Sequence, residues 1–179
     1  MRSMSPNAAR KGLLGAVLLA FLLAASLLAA TVFGAEARMK RASAKLVRLA
    51  EKPAEESAVA LGLAANRLGK FLAADAALEL ETYGPLAAGR QEIVALFAQI
   101  RASLALIAFE HPQIVAAKAG PGVVNVRVAV RYRLAPGAGE AAEGDGTAEL
   151  VWTKGEDGWR ISRATLRAAD DAQLPGGWK

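Results

Sequence analysis

Few side chains in this 179-residue sequence could do chemistry. His111 is the lone histidine and cysteine is absent, so the chain can form neither a paired-His metal site nor a thiolate nucleophile. His111 precedes Pro112, which places it in a loop or at the start of a strand. The carboxylates Asp75, Glu79 and Glu81 lie close together. Glu79 and Glu81 alternate with Leu78 and Leu80, so they share one strand face and the leucines share the other. A proton-shuttling carboxylate needs an apolar wall and hydrogen-bond reach to its substrate. Asp75 opens a turn, where Asp commonly bonds its own backbone. The hydroxyls available are Tyr83 and Tyr132. Tyr132 shares a strand face with Val124, Val126, Val128 and Val130, which favours core packing first and a pocket hydroxyl second. Tyr83, Phe97, Tyr132 and Trp152 are the candidate ligand-pocket residues. No phosphate-cradling glycine loop, nucleophile elbow or dinucleotide fingerprint occurs, so no catalytic residue, metal ligand or cofactor is assigned.

The elements that must position these groups follow from periodicity. Glu36 to Lys52 reads as a helix ended by Pro53. Its basic row is Arg38, Arg41, Lys45, Arg48 and Lys52, and its apolar row is Met39, Ala42, Leu46 and Leu49. Glu55 to Phe71 is a second amphipathic helix, and Ala76 to Tyr83 a short strand broken by Gly84-Pro85. Gly89-Arg90-Gln91-Glu92 opens a helix through about Ile107. The period then changes to two: Gln113 to Lys118, Val123 to Leu134, Thr147 to Lys154 and Trp159 to Arg167 are strands, with a loop over 135–146. Gly155-Glu156-Asp157-Gly158 is a hairpin turn. Helices followed by hairpin-linked strands predict an α+β fold, an antiparallel sheet with helices on one face. Arg127, Arg131 and Arg133, with Arg163 and Arg167, predict a stripe on the outer sheet face. It is either a solvated ion-pair ladder or a partner or homodimer surface.

The segments "AALELETYGP", "AGRQEIVALF" and "ELVWTKGEDGWRISRATL" resemble the nuclear-transport-factor-2-like superfamily over roughly residues 57–168. More narrowly they resemble its bacterial membrane-anchored members, whose function is generally unassigned. The resemblance implies a cone of curved sheet around helices, with an open end able to hold a ligand. Some members, the ketosteroid isomerases and SnoaL-like cyclases, use a pocket carboxylate as proton shuttle. That position falls near Leu80 here, and Glu79 and Glu81, one residue to either side, belong to the opposite face. The reading is a non-enzymatic ligand- or protein-binding module, accessory to an envelope complex. The alternative is an isomerase or hydrolase of the SnoaL type.

Gly12 to Ala35 contains 24 consecutive uncharged residues. A bilayer core needs roughly 20 helical residues, so this run is expected to be a transmembrane signal anchor. Ala35-Glu36-Ala37 would also permit signal cleavage before Arg38. The organisation expected is a tail over 1–11, an anchor over 12–35 and a basic stalk helix over 36–53. The cone domain follows over 54–169, and a second tail over 170–179. Residues 1–52 carry a net charge of +7 and residues 53–179 a net charge of −2. The positive excess therefore lies beside the expected membrane, where Arg38, Arg41, Lys45 and Arg48 would meet anionic headgroups. The remainder has no basic footprint for nucleic acid. Lysine and arginine counts on either side of the run favour a cytoplasmic domain, whereas Arg10-Lys11 on a short N-tail favours export. The expectation is a single-pass protein of the bacterial inner membrane with its domain on the periplasmic side.

Overall fold

Valines on every second residue from Val124 build the centre of the molecule. In the computed structural model, which describes residues 34–168, they form strand β4 (Val123–Pro136). Val124, Val126 and Val128 are buried against Trp152 and Leu150 of β5 (Ala142–Gly155). Fully burying one such side chain contributes about 1.5–3 kcal/mol. Four more strands complete the sheet: β1 (Leu72–Leu80), β2 (Gly84–Ala88), β3 (Leu104–Gly120) and β6 (Gly158–Ala168). The order is β2-β1-β6-β5-β4-β3. Three helices cover its inner face: α1 (Ala35–Ala50), α2 (Ala58–Gly69) and α3 (Arg90–Ser103). The α+β expectation is met, with one correction. The sheet is not wholly antiparallel, because β1 runs parallel to β6.

The helix expected as a separate stalk is part of this fold. Met39 and Ser43 of α1 are buried, and Ala42, Leu46, Val47 and Leu49 pack on the same core. The Trp152 indole N–H donates to the Ser43 hydroxyl at 3.1 Å. Glu36 accepts the Lys118 backbone N–H of β3 at 3.1 Å. The apolar row read from the sequence is correct, but what it meets is the chain's own sheet. The folded unit therefore includes α1 rather than beginning at residue 54.

Other boundaries also move. β3 begins at Leu104, so α3 stops before Ile107, which pairs with Leu134. Residues 84–88, read as a break, form edge strand β2, where Pro85 is tolerated because an edge need not donate. β3 runs through His111 and Pro112 by way of a bulge, at which two residues oppose one on β4. His111 adopts φ 49° there. The bulge changes which residues face inward: Ile107 and Phe109 before it, Ile114 and Ala116 after it. β5 begins at Ala142, inside the expected loop. Of the final hairpin's two glycines only Gly158 takes a positive φ, 93°.

Among the described residues no helix is long and apolar enough to cross a membrane. The uncharged run from Gly12 lies outside them as far as Phe33, as do the tails 1–11 and 170–179.

Candidate functional site

Where α1 ends, its last carbonyls need partners that the helix cannot supply. Arg101 of α3 supplies them. Its side chain donates to the carbonyls of Leu49 at 2.9 Å, Ala50 at 3.1 Å and Glu51 at 2.7 Å. It also forms a bidentate ion pair with Glu56, with contacts of 2.8–3.0 Å. Both side chains are almost wholly buried, at 5% and 6% exposure. Arg101 also lies 5.5 Å from the centre of the Phe97 ring. The arrangement is reciprocal. Lys52, just past α1, donates to the Arg101 and Leu104 carbonyls at the end of α3. Its backbone pairs with Ile107 in both directions, at 2.8 and 3.0 Å. The Arg101 guanidinium holds the Glu56 carboxyl below its ordinary value, against the opposing effect of burial.

Above this lock lies an open cleft of about 670 Å³ between α1 and α2. Leu49, Ala60, Leu63, Ala64 and Phe71 give it apolar surface. Lys45, Arg48, Arg67 and Lys70 give it cations. Leu63 is 54% exposed even though it belongs to an amphipathic helix. Phe71 forms the inner wall and meets Trp152 edge-on, with ring centres 6.2 Å apart. The sequence reading picked out neither Arg101 nor this cleft. A single Arg on a helix gives no periodic signal, and its partners lie about fifty residues away in the chain.

The aromatic residues expected to form a pocket do not share one. Tyr83 is 76% exposed at the β1–β2 turn. Phe97 is half-buried beneath Arg101, and Trp152 is sealed in the core on Ser43. Tyr132 lies on the inner face of β4, over Gly144 of β5. Its buried hydroxyl has no partner among the described residues. Burial, with a smaller effect from Asp145, raises its pKa. The basic row of α1 divides. Lys45 and Arg48 line the cleft, while Arg38 and Arg41 are exposed nearer its N-terminal end.

Glu79 of β1 and Glu81 just beyond it turn outward, as their alternation indicated, whereas Asp75, expected to open a turn, lies exposed within β1. Glu79 pairs with Arg163 at 3.9 Å, and Glu81 pairs with Arg167. Arg167 holds the Glu81 carboxyl below its ordinary value. Arg127–Glu149 at 2.7 Å and Arg133–Glu143 at 3.3 Å extend the ladder across the outer face. Exposed pairs of this kind contribute little to stability. Leu78, on the inner face, packs against the core. His111 is exposed beside a second open depression of about 410 Å³, on the outer face, with Arg131 and Asp145. Among the described residues no group of side chains could hold a metal ion. The glycine-arginine motif is structural. Gly89 takes φ 86° before α3, Arg90 donates to the Leu72 carbonyl, and Glu92 accepts the Ala88 N–H.

The mixed sheet with its helices on one face has the cystatin-like fold of known structures. One is a nuclear-transport-factor-2-like protein with a cystatin-like fold from Novosphingobium aromaticivorans, 16% identical, with a TM-score of 0.59 over 84% of this chain and 90% of that one. A candidate scytalone dehydratase from the same organism is 18% identical, with a TM-score of 0.51 over 61% and 74%. An uncharacterized protein with a cystatin-like fold from Caulobacter vibrioides is 15% identical, with a TM-score of 0.51 over 62% and 79%. At these identities the likeness is one of fold alone. No family model matches the sequence, and no curated protein matches it at the sequence level.

Proposed function

We propose that this protein is a membrane-tethered, non-enzymatic binding module, and that the α1–α2 cleft is its binding site. The observation that carries this reading is the lining of the cleft, which sets apolar side chains beside Lys45, Arg48, Arg67 and Lys70. Its chemistry suits holding a ligand. The Arg101–Glu56 pair beside it is consumed in capping α1. The isomerase- or SnoaL-type alternative relies on a pocket carboxylate as its proton shuttle. Glu79 and Glu81 are instead bound to arginines outside. The tether rests on the uncharged run from Gly12 and on the cations that follow it. A bacterial inner-membrane location with the domain on the periplasmic side is part of the same proposal, as is an envelope partner.

The test has two arms. In membrane fractionation, the full chain should stay with the bilayer through an alkaline wash, and a chain beginning at Gly34 should leave it. Recovery of the full chain in the wash would remove the tether. In the second arm, Asp75→Ala, Glu79→Gln, Glu81→Gln and His111→Ala are compared with the parent for conversion of isomerase and dehydratase substrates. Turnover by the parent that any of them abolishes would put the enzyme first.

A further inference from the structure

We infer that the α1–α2 cleft takes a single amphiphilic anion, an apolar chain ending in a carboxylate or phosphate. This deepens the binding reading above and rests on it. Floor and rim differ in chemistry. Leu49, Leu63 and Phe71 line the cleft with apolar surface, with the small Ala60 and Ala64 leaving room beside them. Val59 lies one turn before Leu63 on the same side of α2 and is 73% exposed, so apolar surface continues outward.

The cations beside this surface are available. Lys45, Arg48, Arg67 and Lys70 have no ion pair among the described residues. Arg101 is closed to a ligand. A guanidinium has five N–H donors, and Glu56 and the Leu49, Ala50 and Glu51 carbonyls engage all three of its nitrogens. The same pairing neutralises Glu56. Glu51 is then the one acidic side chain lining the cleft that faces four cations. A neutral amphiphile would leave those cations unmatched. Inorganic phosphate would leave the apolar surface wet. A ligand with both parts satisfies both.

The experiment uses the full chain in nanodiscs of zwitterionic phosphatidylcholine. The probe is a hexadecanoic acid carrying a diazirine near its terminal carbon, with the matched alcohol as control. Photolabelled peptides are mapped by mass spectrometry. The acid should label the segments holding Leu63 and Phe71, saturably, and the alcohol at least about tenfold less. Arg48→Glu with Arg67→Glu should lower the acid label by a similar factor. Ala60→Trp, which fills the floor without altering charge, should do the same. If the double reversal does not fold, by its melting curve, Lys45→Gln with Lys70→Gln replaces it and should also weaken the label. Equal labelling by acid and alcohol overturns the inference. So does a cleft label that survives both the charge changes and Ala60→Trp, or label confined to residues 12–33.

Adding anionic phosphatidylglycerol to the disc separates the sources, and either result supports the chemistry. Loss of label identifies a bilayer lipid, and an undiminished label identifies the free acid. An unlabelled cleft in a chain that binds some other ligand defeats this inference alone. Substrate turnover defeats the binding reading and leaves the label standing.

Discussion

Replacing Arg101 tests whether the helical layer is held as described. Arg101→Met leaves the Glu56 carboxylate without its guanidinium in a site where the side chain is only 6% exposed. It also leaves the Leu49, Ala50 and Glu51 carbonyls without their donor. Breaking a buried pair by removing one partner costs about 3–5 kcal/mol. In a domain of this size that lowers the melting temperature by on the order of 10–20 °C. Adding Glu56→Leu removes the stranded charge, and part of the loss should return. The residue of the loss belongs to the carbonyls. Those carbonyls have lost their donor, so the double variant should remain about 1–3 kcal/mol below the parent. The assay is urea unfolding of a chain beginning at Gly34, followed by the fluorescence of buried Trp152 and its neighbour Trp159.

The pH dependence separates this account from a mere packing defect. In the parent, the Arg101 hydrogen bonds outweigh burial and depress the Glu56 carboxyl below 4.5. A depressed carboxyl stabilises the fold above its unfolded pKa, and that contribution fades as pH falls through the folded value. In Arg101→Met burial remains, opposed only by the more distant Lys52. The folded pKa then rises, so the variant's deficit should be largest at neutral pH and should shrink towards pH 4–5. An Arg101→Met chain within about 1 kcal/mol of the parent at pH 7, or a deficit that does not change with acid, would refute the reasoning.

Three further outcomes are expected. A chain beginning at Gly34 should give a cooperative thermal transition by circular dichroism. One beginning at Pro53 should not, because it lacks Met39, Ser43 and the rest of the α1 face of the core. Ser43→Ala should cost about 1–3 kcal/mol in urea unfolding, since it strands the buried Trp152 N–H; a change within error would mean that water replaces the hydroxyl. Tyr132→Phe should leave stability unchanged or raise it by up to about 1 kcal/mol, because the hydroxyl it removes is buried and unpartnered. A loss of that size would reveal a partner for the hydroxyl.

The strands that bury one face and expose the other were legible. β4 alternates valine with arginine because one side meets the core and the other meets water. β3 was not legible as a unit. Its bulge at His111 and Pro112 shifts the inward set by one residue, and a two-residue period cannot be followed across such a shift. Leu104 to Ile107 keep a helical spacing after α3, but pairing with β4 claims them, and long-range pairing outweighs local preference. The amphipathicity of α1 was visible, whereas its partner was not, since a moment specifies a face and not what covers it. Gly144 and Gly146 looked like loop composition. They belong to β5, where a Cβ at Gly144 would come within 2.7 Å of the Tyr132 hydroxyl. The outward turn of Glu79 and Glu81 followed from alternation alone. The cleft did not, because it is assembled from two helices and a residue of a third.

The placement of α1 has a mechanical consequence. Tension applied to the chain at Ala35 meets no slack connector. Within about two turns it loads the Glu36 contact with β3, the buried Met39 side chain and the Ser43–Trp152 bond. These attachments lie along the helix and resist a lengthwise pull together, in shear, rather than opening one after another. At the far end the Lys52–Arg101 lock passes the load into α3 and β3. A pull on the N-terminal side is therefore delivered to the sheet and to the floor of the cleft. A flexible stalk would have absorbed the same displacement by straightening.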